Sequence, residues 1–516
     1  MHLNRYISFW AQRLDGRPAV VFGDESISWA EFERASASLA AALEQSGLKP
    51  GDRFGCLLNN CIEWCVAFAA SIRLGAVFVP LNPMFGAFEL RQIFDDADCA
   101  AVLSCPSHIG KLDAAYAQEG APEVPRLYLF GGRRRPSVAY AEIIAQARPW
   151  RDRRFADGDL LIICYTSGTT GVPKGVMLSH RAVETAALGI VLSCGLRGGE
   201  ERLLILAPLA FTGGVISNLC LLILIGGTGW LERGVDPERA LKLLVDQRIS
   251  SMGGVPALWE RVAGAPGFEA ADISSLKMAV TGGAPVPRAL LDAYIAKGVA
   301  IRQQYGFTEG CGGVATYDAE GAVANPEGCG FPLPAMDLEI RDDSGARLAA
   351  GQVGEIFARG EQLMSGYWRK PDETAAAMAD GWYATGDLGT YAEDGALKVV
   401  DRKKCMLISG GVNIYPAEVE RALHQIEGVR ECVVFGLESA KWGQKVAAIV
   451  HAPGCEGAAI MSAARALLGS YKAPKHLVLS PDPLPKTASN KIARTGLVEL
   501  FDALATGAGA TIVPAH

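Results

Sequence analysis

Tyr165–His180 reads YTSGTTGVPKGVMLSH and follows directly on the apolar run LLIIC at Leu160–Cys164. A buried strand that opens into glycine, serine, threonine and one lysine offers free backbone N–H groups, hydroxyl donors and a point charge. Those are the groups a polyphosphate requires from a protein. The spacing is not that of the common GxxxxGK[ST] loop, in which a hydroxyl residue follows the lysine to meet magnesium: here Pro173 precedes Lys174 and Gly175 follows it. The stretch therefore predicts a parallel-sheet α/β protein with a phosphate loop of another kind.

The rest of the chain bounds what that loop can serve. At 516 residues, roughly three to four structural units are expected. Half the residues are hydrophobic and 20% are charged, which is a globular composition. A formal net charge of -7 argues against a general nucleic-acid binder, so any phosphate site must be local. The apolar run Leu219–Ile225 is far shorter than the roughly 20 residues that span a bilayer, and glycines follow it. MHLNRYISFWAQRLDG lacks the basic start, long apolar centre and small-residue cleavage site of a secretion signal, so a cytoplasmic location is expected. Thirteen cysteines without a CxxC pair predict neither zinc nor a disulfide framework.

ISWAEFERASASLAAALEQSG reads as a helix: Ser28 and Glu31 stand at capping-box spacing, Phe32, Ala35, Leu39 and Leu43 share a face, and Gly47 ends it. Strand candidates recur at RFGCLLN, AVFVPLN, CAAVLS, LLIICYT, LLILAPL and LKMAVTGG, separated by helical stretches such as PERALKLLVDQ. That alternation predicts α/β sheets with ligands at the carboxyl ends of the strands. From about Glu327 short strands and turns at Gly345, Gly381 and Gly395 predict a small β subdomain. After Arg402 an α+β unit begins, with Pro416 at a helix start and CVVFGL and KVAAIVHA as strands. The boundary is placed between 1–401 and 402–516.

Four further motifs accompany the glycine loop in fixed order: QQYGFTEG at Gln303–Gly310, WYATGDLG at Trp382–Gly389, DRKKCMLISGGVNIYPAEVE at Asp401–Glu420 and LPKTASNKIAR at Leu484–Arg494. Together they resemble the adenylate-forming superfamily of acyl-CoA synthetases, peptide-synthetase adenylation domains and beetle luciferases, over nearly the whole chain. The resemblance implies a large N-terminal domain of two α/β sheet subdomains plus a small β-barrel-like subdomain, with a small mobile α+β C-terminal domain. It also implies a two-step reaction: a carboxylate attacks the α-phosphate of ATP to give acyl-AMP and pyrophosphate, then the thiol of CoA expels AMP.

By that resemblance, Thr166, Ser167, Gly168, Thr169, Thr170, Gly171 and Lys174 would cradle the β- and γ-phosphates. Thr308 would donate to the α-phosphate and Glu309 would hold Mg2+, a hard cation suited to carboxylate and phosphate oxygens. Tyr305 and Gly306, with Gly282, Gly283, Ala284 and Pro285, would flank the adenine. Asp387 would accept both ribose hydroxyls, and Arg402 would reach ribose or phosphate. Lys491 would bridge the substrate carboxylate and the α-phosphate and offset their repulsion. Lys404 matches the superfamily's hinge. Rotation there would carry Lys491 away and bring Gly410 and Gly411 to line the pantetheine passage, with Trp442 and Tyr471 as candidates to pack on the nucleotide of CoA.

Three positions depart from the superfamily's usual pattern: Asp401 replaces a glycine, Cys405 an acid, and Asn490 the glycine before the catalytic lysine. In PLAFTGG, Ala210 and Phe211 occupy the stretch where many members of that superfamily carry an aromatic–histidine pair, and Phe211 cannot gate by hydrogen bonding. The other candidate walls of the acyl pocket are Thr212, Gly213, Gly214, Gly253, Gly254, Val255, Gly282, Gly306, Cys311, Gly312 and Gly313, none of them charged. They predict a bulky apolar acid, whether fatty, alicyclic or aryl, rather than acetate or an amino acid. Delivery of acyl-AMP to a carrier-protein thiol, a luciferase-like oxygenase and a non-catalytic sensor are the competing readings. The arginines at 133–135 and 151–154 could dock weakly on an acidic membrane surface, a solvated loop being the plainer reading. Oligomeric state is left open, a homodimer being one option.

Overall fold

The computed structural model describes all but residues 1, 118–125, 132–137, 146–149, 151, 168–172, 285, 410–411, 440–441, 488–490, 507–512 and 515–516, and omits the side chains of 138, 167, 470, 471, 513 and 514. The arginine runs of the sequence reading fall largely outside the described residues; Arg153 forms an ion pair with Glu44.

Two large sheets carry the N-terminal part. In one, the strands Pro18–Phe22, Thr228–Leu231, Arg202–Ile205, Ser251–Gly254, Met278–Gly282 and Ile301–Phe307 lie parallel side by side, and Gly312–Thr316 returns antiparallel. In the other, Leu160–Ser167, Val77–Pro80, Arg53–Leu57 and Ala101–Ser104 are parallel neighbours. These strands are continuous apolar runs because helices cover both faces. Helix Ile62–Leu74 is buried nearly all round, and its Trp64 and Phe68 share one core with Phe54 and Phe78 of one sheet and with Val20 and Leu231 of the other. Helix Trp29–Gln45 has the expected capping box, Glu31 N–H donating to Ser28 Oγ and Ser28 N–H to the Glu31 carboxylate.

A small antiparallel sheet follows, built from Met336–Arg341, Gly354–Gly360, Trp382–Tyr391, Met378–Ala379 and Leu397–Arg402. Gly345, Gly381 and Gly395 take φ of +83°, +77° and +83° at its turns, where a side chain would be strained. The C-terminal sheet centres on Gly443–His451, flanked by Glu431–Ser439 and His476–Leu479. Its residues alternate between two cores: Cys432 and Val434 pack with Val419 and Leu423, whereas Val433 and Phe435 pack with Leu497 and Phe501. Among the described residues no helix is long and apolar enough to cross a membrane.

Candidate active site

The opening stretch is a hairpin rather than a plain loop. Leu160–Ser167 pairs antiparallel with Pro173–Ser179, which places Thr166 opposite Lys174 and Tyr165 opposite Gly175. Tyr165 Oη donates to Asp96 Oδ2 at 2.6 Å and fixes the base of the hairpin. Gly168, Thr169, Thr170 and Gly171 lie outside the described residues, as does the side chain of Ser167. Lys174, read as part of the loop, instead sits in the returning strand. Its ammonium forms an ion pair with Glu373 and stands 5.3 Å from the centre of the Tyr367 ring.

Tyr367 continues the chain of contacts. Its hydroxyl donates to Glu309 Oε1 at 2.8 Å and lies 3.4 Å from the Tyr383 hydroxyl. Thr308 and Glu309 occupy the single turn Thr308–Gly310 at the carboxyl end of strand Ile301–Phe307. Gln362, fully buried, donates to the carbonyls of Gly310 and Gly313 and so pins the turn from below. Glu309 is a single carboxylate; among the described residues no group of three or more His, Cys, Asp or Glu could hold a metal. One hard carboxylate fits an ion that takes its remaining oxygens from phosphate and water.

Asp387 and Tyr305, both read as nucleotide contacts, meet one another directly. Tyr305 Oη donates to Asp387 Oδ2 at 2.8 Å, and Arg402 Nε stands 2.6 Å from Oδ1. Asp387 and Arg402 face one another in the register of their antiparallel strands, so the sheet itself makes the pair. Burial pushes the Asp387 carboxyl up from its ordinary value, and Arg402 opposes the shift.

Lys491 comes to this cluster from the C-terminal unit. A Cβ on Gly283 would lie 3.3 Å from Lys491 Cε and Nζ, and Gly283 takes φ +83°, so glycine there permits both the backbone turn and the approach of the lysine. Desolvation lowers the Lys491 pKa, the Arg402 charge adds to this, and Asp387 opposes it. The loop bearing Lys491 is tied down by Thr487 N–H to Lys491 O at 2.7 Å and Ala493 N–H to Pro485 O at 2.8 Å. Arg494 beside it donates from Nη2 to both Glu420 oxygens, at 2.8 and 2.7 Å. Gly282 and Ala284 flank Gly283, while Pro285 lies outside the described residues.

The acyl side differs from expectation in why its glycines are glycine. A Cβ on Gly214 would overlap the carbonyl of Pro208, and one on Gly306 the carbonyl of Gly312. Gly282 and Gly254 would press on Gln304 O and Leu258 Cδ1, at 2.7 and 2.6 Å. At Gly214, Gly306, Gly282 and Gly254 the missing side chain therefore serves close packing, not pocket volume. Gly213 and Gly253 do open outward: a Cβ on Gly213 would meet nothing within 4 Å, and one on Gly253 nothing nearer than Asn218 Oδ1 at 3.9 Å. Phe211 and Val255 are half-buried, Thr212 is buried, and a Cβ on Gly312 would meet Ser217 Oγ at 3.1 Å. Ser217 lies in the π-helical segment Val215–Cys220, half-buried between fully buried neighbours.

Of the other expected residues, Lys404 is exposed in the turn Lys403–Cys405. Gly410, Gly411 and the side chain of Tyr471 lie outside the described residues. Trp442 is exposed at the start of strand Gly443–His451. Sequence reasoning missed Tyr367, Gln362, Glu373 and Asp96. The first three lie in or beside GYWRKPDET, whose Gly-Tyr-Trp was the available signal.

The comparisons with known proteins identify the family. Residues 7–368 match the family model of the AMP-binding enzyme, and residues 418–491 match that of the AMP-binding enzyme C-terminal domain. The chain is 35% identical to a feruloyl-CoA synthase of an Amycolatopsis species, over 92% of this chain and 94% of the relative. It is 32% identical to a long-chain fatty acid–CoA ligase of Mycobacterium tuberculosis, over 93% and 94%. The ATP-bound crystal structure of MatB from Rhodopseudomonas palustris superposes with a TM-score of 0.87 at 28% identity, over 97% of this chain and 99% of that one. The chain thus belongs to the AMP-binding enzymes, as an acyl-CoA synthetase of the adenylate-forming superfamily, a ligase that makes a carbon–sulfur bond.

Proposed function

We propose that the chain joins a bulky apolar carboxylic acid to CoA at the cleft between Gly283 and Lys491, and that the residues of this cleft divide the work as follows. Asp387 accepts the ribose hydroxyls, with the Tyr305 hydroxyl and the Arg402 guanidinium bonded to its carboxylate. Thr308 donates to the α-phosphate at the carboxyl end of its strand, where ligands of open parallel sheets collect. Lys174 and the hairpin tip take the β- and γ-phosphates. Glu309 would hold Mg2+ together with phosphate oxygens, the ion supplying neutralisation of phosphate charge.

Adenylation brings a carboxylate against a phosphate. A substrate carboxylate oxygen bonds to the α-phosphorus as the bond to pyrophosphate breaks, and the Lys491 ammonium offsets the charge that accumulates between them. In the second half, the CoA sulfur bonds to the activated carbonyl, the bond to AMP breaks, and the thiol proton passes to solvent. The observation that carries the proposal is Lys491: a lysine from the C-terminal unit stands against Gly283, beside the ion pair of buried Asp387 with Arg402.

Openness at Gly213 and Gly253 and the uncharged side chains of the candidate wall residues support an apolar acid, in line with relatives named for ferulate and long-chain fatty acids. For the boundary, Lys403 is still bonded to Asp343 and Glu355 of the N-terminal part, which favours a change of unit a few residues beyond 401–402, beside Lys404, with the separate C-terminal sheet following. ATP and CoA as substrates suit a cytoplasmic enzyme. The test is a panel of aryl, alicyclic and fatty acids with ATP and Mg2+, following pyrophosphate exchange and CoA thioester separately. Both are expected with at least one apolar acid. No exchange with any acid refutes adenylation, and exchange without thioester reassigns the acceptor to a carrier-protein thiol.

A further inference from the structure

Asp401 ends strand Leu397–Arg402 of the small N-terminal sheet and is buried at 8% exposure. Its carboxylate is shared between two structural units. Oδ1 accepts the Arg402 N–H at 2.7 Å, and Oδ2 accepts the Ala417 N–H at 2.7 Å. Ala417 lies in the first turn of helix Pro416–His424, which packs in the C-terminal core through Val419 and Leu423. That helix has no cap of its own: Tyr415 makes no side-chain cap bond, and Pro416 has no N–H. A carboxylate from outside the helix therefore supplies the cap, and the helix dipole favours its negative charge.

The covalent path between the two ends of this bridge contains a weakly held link. Lys403 is fixed to the N-terminal part, its ammonium 2.8 Å from Asp343 Oδ1 and 2.9 Å from Glu355 Oε2. Leu407 already pairs with Ile414 in the C-terminal sheet. Between them, Lys404 is exposed and Met406 N–H makes a long 3.4 Å bond back to Lys403 O. Any turn of the C-terminal unit about residues 404–406 must pull Ala417 from Asp401. The buried carboxylate then loses a donor and the helix loses its cap.

We propose that Asp401 is a positioning residue that holds the C-terminal unit where Lys491 stands at Gly283, by bonding amides on both sides of the link 404–406. Arg494, on the same unit as Lys491, adds attraction to the Asp401 charge. This rests on the assignment of Lys491 to adenylation. Asp401 touches no reacting atom; its part is to make the lysine-in arrangement the resting one, and its bond to Ala417 is what the thioester step must break.

The test compares full-length Asp401→Asn and Asp401→Ala with the unaltered protein in three assays: native-state trypsin cleavage after Lys403 and Lys404, pyrophosphate exchange, and thioester formation from supplied acyl-adenylate. Loss of a charge-assisted buried bond predicts about tenfold faster cleavage in the link and about tenfold slower exchange, with thioester formation equal or faster. Asn, which keeps one acceptor oxygen, should fall between. Unchanged cleavage overturns the proposal, as does faster cleavage with unchanged exchange, or a matched loss of both half-reactions in a folded variant. Lys491→Ala runs in parallel: if it leaves exchange intact, the reaction assignment fails, while the trypsin assay still judges the latch.

Discussion

The nucleotide side and the acyl side of the cleft are built on opposite plans. On the nucleotide side, Tyr305 and Asp387 are buried and bonded to one another, and the more exposed Arg402 and Lys491 bring their charges to Asp387. On the acyl side, Gly213 and Gly253 face open space, and none of the candidate wall residues is charged. A reaction common to a whole superfamily requires fixed charges, because electrostatic stabilisation works only when the groups need no reorganisation. An acid that differs from one relative to the next requires volume, which a small change of side chain can reset. Chemistry is thus written in paired side chains, and specificity in their absence.

The sharpest way to break this contrast is to remove the charge that reaches furthest. Lys491→Ala should slow adenylation by about 10³-fold, the upper end for loss of one transition-state donor, while thioester formation from supplied acyl-adenylate stays near normal. Its pH dependence follows from burial and the neighbouring Arg402, which lower the Lys491 pKa from its ordinary 10.5. The protonated lysine is the active form, so adenylation should decline as pH rises through that lowered value. The decline should therefore begin at a lower pH than an unperturbed lysine would give, and the thioester half should lack it. A matched loss of both halves, or an alkaline limb shared by both, would show that Lys491 does not divide the reaction.

Next in size is Asp387, the proposed ribose carboxylate. Asp387→Asn keeps the shape but removes the charge that Arg402 and Tyr305 surround, and should raise KM for ATP by about ten- to a hundredfold with little change in KM for the acid. Equal changes in both constants, measured by steady-state kinetics, would mean that the pair supports the whole cleft rather than the nucleotide half.

How much of this was legible in the sequence follows the same division. Ser28 and Glu31 announced their helix because a capping box is local, and the apolar strand runs announced parallel sheets because burial on both faces leaves no alternation. Asp387 and Lys491 were found through their motifs, but nothing local shows that Asp387 faces Arg402 across a ladder, or that Lys491 crosses to Gly283. The strand Pro173–Ser179 was hidden: proline and glycine in PKG read as loop, and only pairing with Leu160–Ser167 and Gly366–Tyr367 makes it extended. The glycines of the acyl side were misread for a related reason. Sequence shows that a side chain is missing and not what would fill the space, so Gly214, packed on Pro208, and Gly213, open to solvent, look alike.

That last pair gives a test on the acyl side. Gly214→Ala pushes a methyl into backbone and should destabilise the fold by about 1–3 kcal/mol, seen as a lower Tm in thermal melts. Gly213→Ala should leave Tm within error and alter KM for the acid, with KM for ATP unchanged. If Gly213→Ala leaves acid selectivity across the panel untouched, the open face at Gly213 is not part of the acyl wall.

The smallest effect is expected where the two plans meet, at Lys174. Unlike Lys491, it is held by a carboxylate that ATP must displace: Glu373 pairs with it from helix Pro371–Ala377, and the Lys174 hydrogen bond holds the Glu373 carboxyl below its ordinary value. Both side chains are partly exposed, so the pair stabilises by at most about 1 kcal/mol. Glu373→Gln frees the lysine for phosphate and should lower KM for ATP by about two- to fivefold, with kcat for exchange unchanged. Because the Glu373 carboxyl protonates only below its ordinary value, this advantage should persist at neutral pH and disappear only in acid, where the unaltered protein also loses the pair. A rise in KM instead would show that Glu373 aims Lys174 at the phosphates rather than competing with them. Lys174 would then be prearranged in the manner of Asp387, and the contrast between the two sides would extend to the hairpin.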